Sequence, residues 1–411
     1  MSLLSRPMAI AVFLSLALAY FFSTLVRAIT ATLSPTLSAE FGLHAGSLGL
    51  LAGGYFLGFA FTQLPLGTWL DRHGPKRVVL CFLMVAVAGS LAFSAATGFT
   101  QLLAARVLMG IGVSACLMAP LTGYRRWFSA DQQLRANSWM LMTGSFGTLA
   151  STLPVQWLVP LTGWRPMFWM LAGLLLLSMA AIALIVPAWQ RQPPTDADVP
   201  GWRGLFAGYG AIWRHPYFVK LMPLGFFSYG GMLAMQTLWV GPWLIQVSGR
   251  DPVGAATGLF WLNIGMLSAF WAWGLVTPWL ARRGVRTDRL IAWGVPLSFL
   301  LLASIIVLGP RVGALHWTLY CMSCTFVSLS QPAVAMAFPP ALAGRALSAF
   351  NLVIFAGVFV VQWGVGLAID GFQAAGLSTL DAFRAAMGVF LACCVASWAW
   401  LFAAPPHNPA P

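Results

Sequence analysis

Long apolar runs alternate with short polar breaks along the whole chain. The runs lie at 8–36, 47–70, 77–97, 101–123, 136–158 and 167–187. After a polar, Pro-rich stretch, PAWQRQPPTDADVPGWRG, six more follow at 218–243, 256–280, 288–308, 313–336, 346–370 and 382–403. One bilayer-spanning helix needs about 20 predominantly apolar residues. The pattern therefore predicts an all-α polytopic membrane protein with twelve transmembrane helices. Six would form an N-terminal bundle over residues 1–187 and six a C-terminal bundle over 217–411, joined by a solvated linker at 188–216. The first run, with Arg6 ahead of it, looks like a signal peptide. It is too long, has no cleavage site and is followed by further spans, so it reads as the first helix.

Composition agrees with this pattern. Hydrophobic residues make up 60% of the 411 residues and charged ones 8%, against about 25% charged in an ordinary soluble domain. The net charge of +13 would suggest nucleic acid if the basic residues shared one exposed face. They lie instead between apolar runs, so the bilayer is the expected partner and nucleic acid is not. With the N-terminus inside, 16 of the 22 Lys and Arg fall in inner segments and four, Arg165, Arg250, Arg311 and Arg384, in outer loops. This positive-inside bias puts both termini in the cytoplasm of an inner-membrane protein. The other two, Arg27 and Arg106, lie within spans. All six cysteines sit in apolar runs, as core thiols would and a secreted disulfide framework would not.

Charge concentrates at one place, the turn GTWLDRHGPKR at 67–77. The stretch TPWLARRGVRT at 277–287 repeats its Trp, Leu, Arg, Gly and a basic residue at the same offsets. Two related halves joined by a linker mark a transporter built from parallel repeats.

The turn at Gly67, Asp71, Arg72, Gly74, Lys76 and Arg77 resembles the signature loop of the major facilitator superfamily. RVLMGIG in span 4 (Arg106, Gly110, Gly112), GWRPMFW before span 6 and GRALSAFN entering span 11 are similar to other motifs of that family. The resemblance implies its twelve-helix fold, alternating access and a role for the loop as a conformational latch. Asp71 ends span 2, where it can pair with Arg72 or Arg77 or face the N-terminus of a neighbouring helix. The repeat has Ala281 in place of the Asp, so the latch is expected in the first half only. The alternative is that these charges merely set topology.

Substrate chemistry is read from polar groups inside spans, because they are costly there. All nine acidic residues lie at span ends or in loops, so no deep carboxylate is expected to carry a proton or to bind a polycation. Arg27, well inside span 1, carries an insertion penalty of roughly 2.5 kcal/mol or more, which a bound anion would offset. Its position resembles the span 1 Arg of the organic-anion and organophosphate branches, although Tyr20 stands seven residues upstream rather than three. The other reading has Arg27 snorkelling or binding backbone carbonyls. Arg106 belongs to the span 4 motif and reads first as structural. Gln236 and Trp239 in span 7, Asn263 in span 8, and Asn351 and Gln362 in span 11 are further substrate-binding candidates; each also fits a hydrogen bond between helices.

The sequence thus predicts a secondary transporter of a small organic anion, acting as a monomer with no cofactor and no resident metal. One rival is a soft-metal (copper) importer using Met232, Met235, Met322, Cys321, Cys324, Cys393 and Cys394. Another is an exporter of neutral hydrophobic compounds. An enzyme is disfavoured, because His44, His73, His215, His316 and His407 lie in loops or near span ends and no catalytic set converges.

Overall fold

The computed structural model describes residues 3–189 and 209–403. These residues are almost wholly helical, as apolar chains in lipid must be, since a helix satisfies its backbone groups within one segment. The first half holds six membrane helices. They are α1 (Arg6–Phe41), α2 (Ala45–Phe61, continuing through 63–73), α3 (75–95), α4 (Phe99–Trp127), α5 (Ala130–Ala150 and Leu153–Thr162) and α6 (Trp164–Ile185). A short helix, Tyr209–Arg214, precedes the second six. These are α7 (Pro216–Val247), α8 (Pro252–Arg282), α9 (Thr287–Leu308), α10 (Ala314–Met336), α11 (Pro340–Ala374) and α12 (Thr379–Ala403).

All twelve apolar runs are helices, with ends extended by up to several residues. Ten helical stretches are long and apolar enough to cross a bilayer by length and composition. The two outside that set have local causes. The first part of α2 is closed by a break at Thr62, and α5 opens on the polar DQQLRAN. Most of the 188–216 linker lies outside the described residues.

By packing, the chain divides into two compact units, Met1–Ile29 with Gly54–Ala207 and Thr30–Gly53 with Gly208–Pro411. The α1–α2 hairpin end thus packs with the second unit, and glycine makes that possible. A Cβ at Gly53 would stand 3.0 Å from Phe359 of α11, and one at Gly49 would overlap the Gln362 carbonyl. In the first unit, Gly110 packs against the Tyr55 backbone and Gly112 against Ala86 with no room for a side chain. The glycines of the α4 motif therefore seat α4 between α2 and α3.

In the second unit, two helices change their winding along their length. α10 narrows to a 3-10 turn at Thr325–Leu329. α7 contains three π turns, Gly225–Tyr229, Met235–Trp239 and Trp243–Val247. Such turns are rare and frequent at functional sites. Pro223 and Pro242 in α7 lack the N–H that a regular ladder would use.

Candidate functional site

In the first unit, three helices bring polar groups together. Arg106 of α4 is completely buried. Its Nη1 donates to the carbonyl of Val26 on α1 at 3.0 Å, and its guanidinium lies 5.1 Å from the centroid of the Tyr55 ring on α2. Tyr55 in turn donates from its hydroxyl to the Ser23 carbonyl at 3.3 Å. Arg27 follows Val26 on the same helix.

The demands of these arginines exceed what the protein supplies. Nε and Nη2 of Arg106 and Nε of Arg27 are buried without a hydrogen-bond partner among the described residues. No carboxylate pairs with either guanidinium there; the described ion pairs include Arg286 with Asp288 and Arg384 with Asp381, both at helix ends. An unmet buried donor costs about 1–3 kcal/mol, and more when charged. The arrangement therefore leaves positive charge and hydrogen-bond donors in the first unit that no described residue neutralises.

The five other binding candidates lie in the second unit, four of them joined in two pairs and Asn351 bonded to Gln331. Gln236 Nε2 donates to Asn263 Oδ1 at 2.8 Å, tying α7 to α8. Asn263 spends its own amide N–H on the Leu259 carbonyl. Trp239 donates to the Gln362 carbonyl at 3.1 Å, and Gln362 Nε2 donates to the Thr237 hydroxyl at 3.0 Å, tying α7 to α11. Asn351 accepts from Gln331 of α10, and Tyr229 donates to the same glutamine. Gln362 Oε1 is the one acceptor in this set that is buried without a partner. Tyr55, Thr237, Tyr229 and Gln331 were not singled out in the sequence. Gln331 had the clearest signal, an amide inside the apolar run FVSLSQPAVAM.

The signature turn is well defined. Gly74 takes φ 78° and ψ 160°, and a Cβ there would overlap Trp189. A side chain is thus refused twice, by conformation and by space. Lys76 Nζ donates to the Val186 carbonyl at 2.7 Å, capping the C-terminus of α6, where a cation is favoured. Arg126 lies 3.9 Å over the Trp189 ring. Gly67, Asp71, Arg72 and Arg77 stand exposed.

The soft residues lie on three helices of the second unit. Met232 and Met235 are buried in α7, as are Cys321 and Cys324 in α10 and Cys394 in α12. Among the described residues no group of three or more His, Cys, Asp or Glu could hold a metal ion. Cys81 is exposed on α3, so the expectation of a core thiol fails there; an apolar run alone does not say which face of a lipid-embedded helix looks inward.

Known proteins agree with this architecture. Residues 16–362 match the profile of the Major Facilitator Superfamily. The 4-hydroxybenzoate transporter PcaK of Pseudomonas aeruginosa is 29% identical over 157 residues, 37% of this chain and 34% of that protein. A probable L-galactonate transporter of Escherichia coli is 28% identical over 138 residues, 32% of this chain and 29% of that protein. These matches therefore reach only about a third of the relatives' length. A bicyclomycin resistance protein homolog of Haemophilus influenzae is 23% identical over 307 residues, covering 73% of this chain and 74% of that protein. Among solved structures, the inward-facing, unoccupied bacterial homolog of the human lysosomal transporter Spinster superposes with a TM-score of 0.77 at 17% identity, over 97% of both chains. The D-xylose-proton symporter gives 0.74 at 15% identity, over 97% of this chain and 98% of that one. With its twelve helices, its signature turn and the glycine-packed α4, the chain belongs to the Major Facilitator Superfamily.

Proposed function

We propose that this multi-pass membrane protein is a secondary transporter of a small organic anion, working by alternating access, with Arg27 and Arg106 holding the anion's charge. The observation that carries the reading is the set of buried guanidinium N–H groups left without acceptors. An anion supplies those acceptors through charge-assisted, two-point hydrogen bonds. A neutral solute meets fewer of them and leaves the charge uncompensated. Several similar proteins bear names of the same chemical class, including 4-hydroxybenzoate, L-galactonate and anion transporters. The excess of Lys and Arg in the segments on the N-terminal side supports cytoplasmic termini.

Export of a neutral compound is the second reading, favoured by the long match to the bicyclomycin resistance homolog. A thermal-shift panel on the purified protein separates the two. Mono- and dicarboxylates and organophosphates should raise the melting temperature with rising concentration, while their neutral esters or amides should not. Stabilisation by the neutral compounds alone would favour the exporter.

A further inference from the structure

Asp370 does more than its position at a span end suggests. It lies in the last turns of α11 and accepts two hydrogen bonds from the first turn of α2. Its Oδ1 takes the Ala45 N–H at 3.1 Å and its Oδ2 the Gly46 N–H at 2.8 Å. Because α2 begins at Ala45, these N–H groups are among those a helix cannot satisfy internally. The partial positive charge there favours a carboxylate. Asp370 thus caps a helix more than 300 residues away in sequence.

The joint around this cap is tight. A Cβ at Gly46 would stand 2.7 Å from Asp370 Oδ2 and 3.2 Å from Leu367, and one at Gly366 would overlap the Ala45 carbonyl. Beside the joint lies a cavity of about 190 Å³ lined by Ser38, His44 and Asp370 together with Trp239 and Gln246 of α7. That volume is large enough for several waters. The cavity leaves room beside the carboxylate for water to solvate it if the contact breaks.

We propose that Asp370 is a gating residue of the transport cycle. Its carboxylate on the α2 N-terminus holds the α1–α2 end of the pathway closed, and this contact breaks when that end opens. The inference rests on the transport reading and adds to it. Asp71 ends α2 at the opposite end of that helix, so the resemblance-based latch and this one serve opposite ends. A close cap that costs nothing to break would not hold a gate; two charge-assisted bonds bias a two-state equilibrium enough to do so, while remaining reversible.

The test uses the full chain, purified in detergent, with a Ser38→Cys reporter in a Cys81→Ser, Cys393→Ser background and a charged maleimide. Asp370→Asn should raise the alkylation rate on the order of tenfold, the scale of one charge-assisted hydrogen bond. Gly46→Ala, which displaces the carboxylate from the other side, should raise it too and reads the same contact if the Asn variant does not fold. Gly364→Ala, on α11 with open space around it, should keep the parent rate. A parent rate in Gly46→Ala or a folded Asp370→Asn protein overturns the proposal. So does an equal rise in Gly364→Ala, which would mean general loosening of α11. The readout needs no substrate, so it fails or succeeds separately from any uptake assay.

Discussion

The interiors of the two units treat polar groups differently. In the first, fully buried Arg106 leaves Nε and Nη2, and half-buried Arg27 leaves Nε, buried without an acceptor. In the second, Gln236 and Gln362 donate across helices to Asn263 and Thr237, which donate in turn to the Leu259 and Leu233 carbonyls of their own helices, and the Gln362 Oε1 acceptor alone in this set is left unmet. A satisfied amide pair in a low-dielectric interior serves as helix-to-helix glue. An unsatisfied cation is a cost that persists only where something else repays it. On the proposed reading, the difference separates residues that hold the fold from residues that take a ligand, although both look alike as polar letters in apolar runs.

The largest expected effect is on the cationic side. Arg27→Gln should weaken anion binding by about 2–5 kcal/mol, as truncating one side of a buried charge pair does, and proteoliposome uptake should fall with it. Arg27→Lys should lose less binding yet not recover wild type, because an ammonium is a point charge and cannot grip two oxygens in parallel. Equal uptake in wild type and Gln variant would erase the contrast between the units.

Next in size is the signature turn. Gly74→Ala should lower stability by about 1–3 kcal/mol from its positive-φ, extended conformation alone, with the overlap on Trp189 adding to that, read as a lower melting temperature. Asp71→Asn should instead leave the melting temperature near wild type and reduce uptake, if the exposed carboxylate acts as a latch; wild-type uptake would reduce it to a topology signal.

The smallest effect belongs to the amide pairs. Asn263→Leu should cost about 1 kcal/mol of stability, since it strands the Gln236 amide. The double change Gln236→Leu with Asn263→Leu should cost less than the single one, because both partners become apolar. Neither should abolish anion-dependent stabilisation. If the double variant stops binding the anion, the second unit contributes ligand groups and the contrast softens.

Much of the fold was legible because lipid leaves a chain few options. Each apolar run became a helix, including α5 behind its polar DQQLRAN start, and the charged turn at 67–77 became the α2–α3 corner at Gly74. The site was legible only in part. Arg27 and Arg106 stand out as charges within spans, but whether their donors are met depends on Val26, Tyr55 and Ser23, which no local pattern links to them. The amide pairs bridge residues from 20 to 125 apart in sequence, so their mutual satisfaction is a property of packing. Asp370 looked like an ordinary span end for the same reason, since its partners Ala45 and Gly46 are set by the glycine-lined approach of α2 to α11. The π turns of α7 have no sequence mark beyond Pro223 and Pro242.

The central claim is that Arg27 is held ready for an anion rather than serving the fold, and one paired measurement tests it. Melting temperatures of wild type and Arg27→Gln are recorded with and without the most stabilising anion from the panel. The account predicts that the ligand-free Gln variant melts at or above wild type, because a half-buried charge with no carboxylate partner has been removed, and that the anion no longer raises its melting temperature. A ligand-free variant that melts many degrees lower, or one that the anion still stabilises as it does wild type, would contradict the account.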